Sequence, residues 1–217
     1  MFCNKNNISR YDFDGLRETV RGLIKEKRFN HILGVEQEAV KIAGIYECGE
    51  EFINKLRTAA ILHDITKEFS YSQQLEICRE YKIRLSKDDK KAEKPIHAKT
   101  AAYIAKIEFG ADDIIFDGIY NHTISEPLKS FDLFNRIINL ADWIEPNRIH
   151  EDCVAVREYF YSKIKNAENI EQKHKVMDET ILFSYNISIK VLLEDNLFIH
   201  KDTIKCRNAL INKKVMV

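Results

Sequence analysis

Apolar residues recur at helical spacing along almost the whole chain of 217 residues. The first stripe shows the pattern, because Leu16, Val20, Leu23 and Ile24 share one face of a helix with a 3.6-residue period. No segment shows a convincing alternation of apolar and polar residues, which is typical of a half-buried strand. We therefore predict an all-α fold, a bundle of about eight to ten helices.

Apolar stripes and capping patterns set the expected helix limits. We expect the first helix to end near Arg28, with basic residues at its carboxyl end, and the second to begin close to His31. Ser70 and Gln73 form a capping-box pattern, which predicts a helix over about 71–81. The other helices are expected near 50–63, 97–109, 112–122, 133–144, 152–165, 173–193 and 203–212.

The length and composition indicate one globular unit. A hydrophobic content of 45% is enough for a sizeable core. We expect residues 1–217 to form a single domain with a helical extension that begins at about residue 150. An apolar stripe on the last helix is compatible with a homodimer.

Charge and cysteine usage exclude several classes of protein. The 34 basic and 34 acidic residues cancel, which argues against a nucleic-acid polymer or an anionic membrane as partner but leaves room for a local basic pocket. The five scattered cysteines, none in a CxxC pair, predict free thiols in a reducing cytoplasm. The amino terminus lacks the apolar run of a signal peptide, and no stretch approaches about 18 uninterrupted apolar residues. We therefore expect a cytoplasmic protein without a membrane span.

One apolar helical run ends in an adjacent histidine and aspartate, His63-Asp64, inside the segment 61–67. Such a run rarely finishes on two strongly polar side chains unless something binds them. Neutral imidazole and carboxylate suit a mid-series divalent metal such as iron, manganese, cobalt or zinc. The pair therefore predicts a metal site where this helix ends.

Four further polar residues interrupt apolar helical segments: His31, His97, His122 and Asp142. A single histidine near a helix end is more often a hydrogen-bonded core or surface group than a ligand. Asp142 is harder to account for in that way, because a carboxylate in an apolar helix is costly to bury unless a cation or hydrogen-bond donors satisfy it. Taken with the pair, these residues give the order H…HD…H…H…D.

This order resembles the HD-domain phosphohydrolase superfamily, and the surrounding sequence is similar to its YqeK family. The sequence motifs that carry the resemblance are HILGV, which starts at His31, LHDITK at Leu62, NHT at Asn121 and ADWIEPNR at Ala141. The resemblance covers roughly residues 12 to 212 and includes a less specific motif over residues 199–208. The chain departs from the family pattern at 65 and at 124–125, which bears on substrate preference more than on metal binding.

The resemblance implies an all-α HD domain that holds one metal ion with four ligands: His31, His63, Asp64 and Asp142. It implies that His97 and His122 bind a second metal or the substrate. Iron is the implied ion, although such ligands also accept manganese, cobalt or nickel. Adjacent residues lie about 100° apart around a helix, so His63 and Asp64 can flank one ion only at a helix end.

Cationic and hydroxyl side chains near these ligands are candidates for phosphate binding. Lys67 lies three residues after the pair, and Arg148 can grip phosphate oxygens with two donors. The predicted substrate-binding set is Arg28, His31, Asp64, Lys67, His97, His122, Thr123, Asp142 and Arg148.

Other charged groups have weaker patterns. His150, His174 and His200 match no ligand pattern and are expected at the surface or behind the ligands. The lysine-rich segment 84–94 is either a solvated loop or a mobile flap over an anionic substrate.

The resemblance implies a symmetrical bis(5'-nucleosyl)-tetraphosphatase, which cuts diadenosine tetraphosphate into two ADP with a metal-activated water. Asp64 would orient or deprotonate that water, and His63 and Lys67 complete the expected catalytic group. Two alternatives remain open. One is an HD-type nucleotidase acting on mononucleotides, and the other is a non-catalytic nucleotide-binding regulatory module that retains the metal. A purely structural helical scaffold is disfavoured by Asp142.

Overall fold

A computed structural model describes residues 11–127 and 129–215. Within these residues the chain forms α-helices and one 3₁₀ turn, without strands, so the predicted all-α class is confirmed. The helices are α1 (Phe13–Arg21), α2 (Glu26–Ile45), α3 (Glu50–Leu62), α4 (Tyr71–Glu80), α5 (Lys87–Lys91), α6 (Ile96–Glu108), α7 (Asp113–Asn121), α8 (Leu133–Ile144), α9 (Glu151–Ile164), α10 (Ile170–Glu194) and α11 (Lys201–Val215).

The eleven described helices compare with the eight to ten expected, and the short α5 is the additional one. It forms inside the lysine-rich segment because Ser86 and Asp89 make a reciprocal capping box, which is visible in the structure at both hydrogen bonds. The capping box expected at Ser70 and Gln73 is also present at the start of α4.

The boundary between the first two helices differs from the prediction. α1 ends at Arg21, and α2 begins at Glu26 rather than near residue 31. The apolar stripe misled because Ile24 packs against the core from the connecting turn, where it has the same spacing as a helical residue. The earlier start places Arg28 and His31 on one helix, one turn apart.

The core lies where α2, α3 and α8 pack against one another, with α7 beside α3 and α9 and α10 beside α8. Its fully buried side chains include Ile32, Ile42, Leu56, Ile61, Leu62, Ile137, Ile138 and Phe160. Burial of apolar surface on this scale fixes the helices relative to one another. As a result, the polar residues that follow the apolar runs come to lie at one end of the packed helices.

The described cysteines, at 48, 78, 153 and 206, are free thiols as predicted, and Cys3 lies outside the described residues. No helix in the described part of the chain combines the length and the apolar character that a membrane span requires.

Two glycines test how tightly the helices pack. A methyl group on Gly118 of α7 would overlap Cε1 of the buried Phe134, which itself packs on Phe52. We expect Gly118→Ala to lower the free energy of unfolding by about 1–3 kcal/mol, since the ring has little room to move. Nothing lies within 4 Å of the equivalent position on Gly44, so Gly44→Ala should raise that free energy by about 0.4–1 kcal/mol.

Urea unfolding followed by circular dichroism measures both changes. Equal midpoints for Gly118→Ala and the parent chain would contradict the close contact between α7 and α8.

Candidate functional site

Three histidines share one local hydrogen-bond arrangement. Nδ1 of His63 donates to the carbonyl of Ala60, three residues earlier, over 2.6 Å. The same bond runs from Nδ1 of His97 to the carbonyl of Lys94 (2.6 Å) and from Nδ1 of His122 to that of Ile119 (2.7 Å). A carbonyl oxygen only accepts, so each Nδ1 carries the hydrogen and each Nε2 keeps its lone pair. This tautomer is the one that binds a metal through Nε2.

The helix geometry explains why these bonds form. His63 directly follows α3 and His122 directly follows α7, where the last carbonyls of a helix have no helical partner. The ring of His63 is fixed by its bond to the carbonyl of Ala60, and the ring of His122 by its bond to the carbonyl of Ile119, which also accepts from the backbone N–H of His122. His97 lies at the start of α6 and bonds to the carbonyl of the turn before it.

The three Nε2 atoms converge on the carboxylate of Asp64. Oδ1 lies 3.1 Å from Nε2 of His97 and 3.6 Å from Nε2 of His122. Oδ2 lies 3.6 Å from Nε2 of both His63 and His31. The side chain of Asp64 is buried, with 1% exposure. Each of its two carboxylate oxygens faces a different pair of histidine nitrogen atoms.

Asp142 completes the group from α8. Its Oδ1 lies 3.1 Å from Nε2 of His31 and 3.9 Å from Nε2 of His63. The residues expected to ligate one ion thus come together from α2, the end of α3 and α8. Three overlapping sets place their ligand atoms within 4.8 Å of one another: His31, His63 and Asp64; His63, His122 and Asp142; Asp64, His97 and His122.

The donor set fits a divalent cation, because several lone pairs face one another. Nε2 of His97 lies 3.2 Å from Nε2 of His122, and neither nitrogen carries a hydrogen in this tautomer. Nε2 of His63 and Oδ1 of Asp64 are buried and have no hydrogen-bond partner within the described structure. Buried polar atoms without partners are costly, and a cation between them removes that cost.

The electrostatics favour neutral rings and charged carboxylates. Burial lowers the pKa of His63 to about 3, and burial together with the positive charge of Lys67 lowers the pKa of His97 to about 4. Burial alone would raise the pKa of Asp64 and of Asp142. The neighbouring cations, Lys67 for Asp64 and Arg148 for Asp142, outweigh burial and hold both pKa values well below the usual range.

His31 behaves differently from the other rings. Burial alone would lower its pKa, but hydrogen bonds to Asp142, Asp64 and Glu145 outweigh burial and raise the pKa to about 10. Without a metal ion, a proton on His31 therefore offsets part of the carboxylate charge. A divalent ion bound there would take the place of that proton.

Each predicted phosphate-binding side chain reaches this cluster. Nη1 of Arg28 donates to Oδ2 of Asp64 (2.6 Å), and Nη2 of Arg148 donates to Oδ1 of Asp142 (2.5 Å). Nζ of Lys67 lies 2.9 Å from Nε2 of His97, and Oγ1 of Thr123 lies 3.4 Å from the same atom. The side chains of Arg28, Lys67 and Arg148 are 24%, 31% and 32% exposed, so these cations remain accessible to a ligand.

Sequence reasoning missed Glu145. This residue is 1% exposed, and its Oε1 accepts a hydrogen bond from Nδ1 of His31 over 3.1 Å. Its Oε2 accepts from the backbone of Asn147, and a methyl group at Gly34 would overlap that oxygen. Glu145 therefore orients His31, as a carboxylate commonly orients a metal-ligating histidine. The only indication of Glu145 in the sequence is its place in the ADWIEPNR motif.

A cavity of about 800 Å³ adjoins the cluster and was also missed. Thr123 and Arg148 line it where it meets the cluster, and α10 and the turn before α11 form its far side. Residues 91–94, the end of the lysine-rich segment, line it as well, together with Pro95. The cavity has no sequence signal, because its walls come from segments far apart in the chain.

The three histidines outside the pattern have different surroundings. The side chain of His150 is 77% exposed, and His174 is partly buried with its ring against Tyr46. His200 is buried, lines the cavity, and its Nε2 lies 3.4 Å from Oδ1 of Asp89.

The chain is similar to known proteins over most of its length. A family model described as HD domain matches residues 28–147. A protein of Halalkalibacterium halodurans named symmetrical bis(5'-nucleosyl)-tetraphosphatase is 29% identical, with 89% of this chain and 94% of that protein covered. A Bacillus subtilis protein of the same name is 30% identical, with 68% of this chain and 77% of that protein covered.

A solved structure agrees with the sequence comparisons. It is a crystal structure of a predicted HD superfamily hydrolase involved in NAD metabolism from Clostridium acetobutylicum. It matches this chain with a TM-score of 0.78 and 27% identity, covering 94% of this chain and 98% of the other. The likeness therefore includes the helices that follow the region matched by the family model.

The fit of the cluster to a cation can be tested without any substrate. We expect Mn²⁺ to stabilise the protein by about 2.7 kcal/mol at a concentration about 100 times its dissociation constant. Asp64→Ala should abolish that stabilisation, because it removes the carboxylate shared by both groups of nitrogen atoms. Thermal unfolding with and without Mn²⁺ measures the effect, and far-ultraviolet circular dichroism checks that helical content is kept.

Asp195→Ala is the matched control, since Asp195 is exposed at the end of α10. The metal-site assignment would be wrong if Asp64→Ala responded to Mn²⁺ as strongly as this control.

Proposed function

Because the chain belongs to the HD domain family, as its motifs predicted, we propose that it cleaves diadenosine tetraphosphate symmetrically into two ADP. The observation that carries the proposal is the convergence of four Nε2 atoms and two carboxylates, ringed by three cationic side chains. That arrangement suits a metal-dependent phosphohydrolase. The names of the relatives support a dinucleoside tetraphosphate as substrate.

His31, His63, Asp64 and Asp142 would hold one divalent ion. A divalent ion in such a site lowers the pKa of a bound water and polarises a phosphoryl oxygen. His97 and His122, with the other oxygen of Asp64, would hold a second ion or the substrate phosphate. Iron is the ion we propose, and manganese, cobalt or nickel suits the same ligands.

The two oxygens of Asp64 face different groups, which suits a role in positioning the attacking water. Oδ2 points toward His31 and His63, and Oδ1 points toward His97 and His122. One oxygen can therefore face the ion while the other accepts a hydrogen bond from the water. In this role Asp64 orients the water or takes its proton.

The cationic side chains would bind the phosphate groups of the substrate. Lys67 lies beside Asp64, and Arg148 lies beside Asp142. Both can turn toward phosphate oxygens and neutralise the charge that builds on them during cleavage. Thr123 donates a further hydrogen bond from beside His97, and Arg28 acts from the first turn of α2.

The products of the reaction test the proposal directly. The protein is incubated with Mn²⁺ or Fe²⁺ and a panel of dinucleoside polyphosphates and mononucleotides, and the products are separated by chromatography. ADP as the sole product of diadenosine tetraphosphate supports the proposal. AMP and ATP together would contradict symmetrical cleavage, and turnover of mononucleotides alone would indicate a nucleotidase.

Arg148→Lys isolates the two-donor contact while keeping the positive charge. We expect kcat/KM for diadenosine tetraphosphate to fall by about 10- to 100-fold, because a charge-assisted hydrogen bond contributes about 1.5–3 kcal/mol. Arg21→Lys is the control, since Arg21 is half exposed on α1 and pairs with Glu26. Steady-state kinetics on both variants measures the change, and an equal kcat/KM for the two would exclude Arg148 from phosphate binding.

A further inference from the structure

The cavity lies beside the cluster of candidate ligands, which is called the ion cluster below and consists of His31, His63, Asp64, His97, His122 and Asp142. It is built from two parts of the chain. Asn139 and Trp143 of α8, with Thr123 and Arg148, form its inner side. Its outer side comes from residues 184–203, beyond the region matched by the family model. The ion cluster and the cavity therefore form one continuous site, and much of its surface comes from the carboxyl-terminal part of the chain.

Size and lining indicate what the cavity accepts. Its volume of about 800 Å³ falls in the range of pockets that enclose small organic ligands. Three aromatic residues line it, Trp143, Tyr185 and Phe198, and Ser184 and Ser188 line it as well. Aromatic faces stack well on a nucleobase, whereas an apolar wall disfavours a charged phosphate chain.

Continuity with the cluster fixes the orientation of a ligand. Arg148 contacts Asp142 of the cluster and also lines the cavity. A nucleotide whose phosphates lie at the ion cluster would thus place its base and ribose in the cavity. We infer that the cavity binds one nucleoside of the substrate, and that residues 184–203 form the wall that encloses it. This inference rests on the proposed function for the chemistry of the ligand.

The outer wall contacts the lysine-rich segment through His200 and Phe198. Asp89 of α5 is 6% exposed and accepts a hydrogen bond from Nζ of Lys99 over 2.7 Å. His200 faces the other oxygen of Asp89 at 3.4 Å. The ring of Phe198 lies 5.2 Å from Nζ of Lys91, which adds a cation–π contact between the same two segments. The contact between His200 and Asp89 joins the motif at 199–208 to the segment at 84–94, and neither of these features takes part in the cluster.

The surroundings of His200 also indicate that the cavity binds a ligand. Its Nδ1 accepts from the backbone N–H of Asp202 over 3.2 Å, so its Nε2 carries the hydrogen. That Nε2 is buried and faces Oδ1 of Asp89 at 3.4 Å without the geometry of a hydrogen bond, and His200 also lines the cavity. A donor left in this way is expected where a ligand supplies the missing acceptor, such as a ribose hydroxyl.

The single tryptophan of the chain, Trp143, makes nucleoside binding directly observable. The full-length protein without added metal is titrated with adenosine, and the tryptophan emission is recorded. We expect a saturable change with adenosine and none with inorganic tripolyphosphate, which has phosphates but no base. No change with adenosine at millimolar concentration, or the same change with tripolyphosphate, would overturn the inference.

Variants of His200 test the outer wall. We expect His200→Ala to weaken adenosine binding by about tenfold, since it removes both the ligand donor and the contact with Asp89. His200→Gln keeps an N–H donor and should recover part of the affinity. The stabilisation by Mn²⁺ should be unchanged in both, because His200 contacts none of the cluster residues.

His174→Ala is the matched control, a partly buried histidine whose ring lies against Tyr46 rather than in the cavity. The inference fails if His200→Ala binds adenosine as tightly as His174→Ala, or if it loses the Mn²⁺ response as well. Adenosine binding without hydrolysis of diadenosine tetraphosphate would sink the proposed function and keep the nucleoside site. Hydrolysis with an unchanged emission would do the reverse.

Discussion

The functional site depends on one local interaction that occurs three times, the bond from a histidine Nδ1 to a carbonyl three residues earlier. At His63 and His122 this bond is made to a carbonyl in the last turn of the preceding helix. The same bond fixes the tautomer and turns Nε2 toward Asp64. Local helix chemistry thereby prepares a set of ligand atoms before any ion arrives. Helix packing in the core needs only to bring the helix ends together.

The charge arrangement follows from that convergence. Two carboxylates and several lone pairs in a buried space would repel one another, so each carboxylate carries a cationic neighbour, Arg28 at Asp64 and Arg148 at Asp142. These cations balance the site in the absence of a divalent ion. In an HD-domain phosphohydrolase, the same groups are free to turn toward phosphate oxygens once an ion supplies the balancing charge.

The helical class and the convergence of the cluster were predictable, because polar residues at the ends of apolar helical runs are costly to bury unless an ion or hydrogen-bond donors satisfy them. Sequence periodicity failed at the end of α1, since Ile24 buries itself from a turn with helical spacing. The role of Glu145 could not be predicted from the sequence, because it depends on His31, which lies far away in the chain. The cavity could not be predicted for the same reason, since Asp89 and His200 become neighbours only through tertiary packing.

Gly34 has a consequence that reaches beyond packing. Its lack of a side chain allows the carboxylate of Glu145 to lie against the surface of α2, one turn after His31. A larger residue at position 34 would push that carboxylate away and release the imidazole that it orients. Substitutions at positions 34 and 145 are therefore expected to be coupled during divergence of the sequence, because residue 34 controls the orientation of His31 without touching its ring.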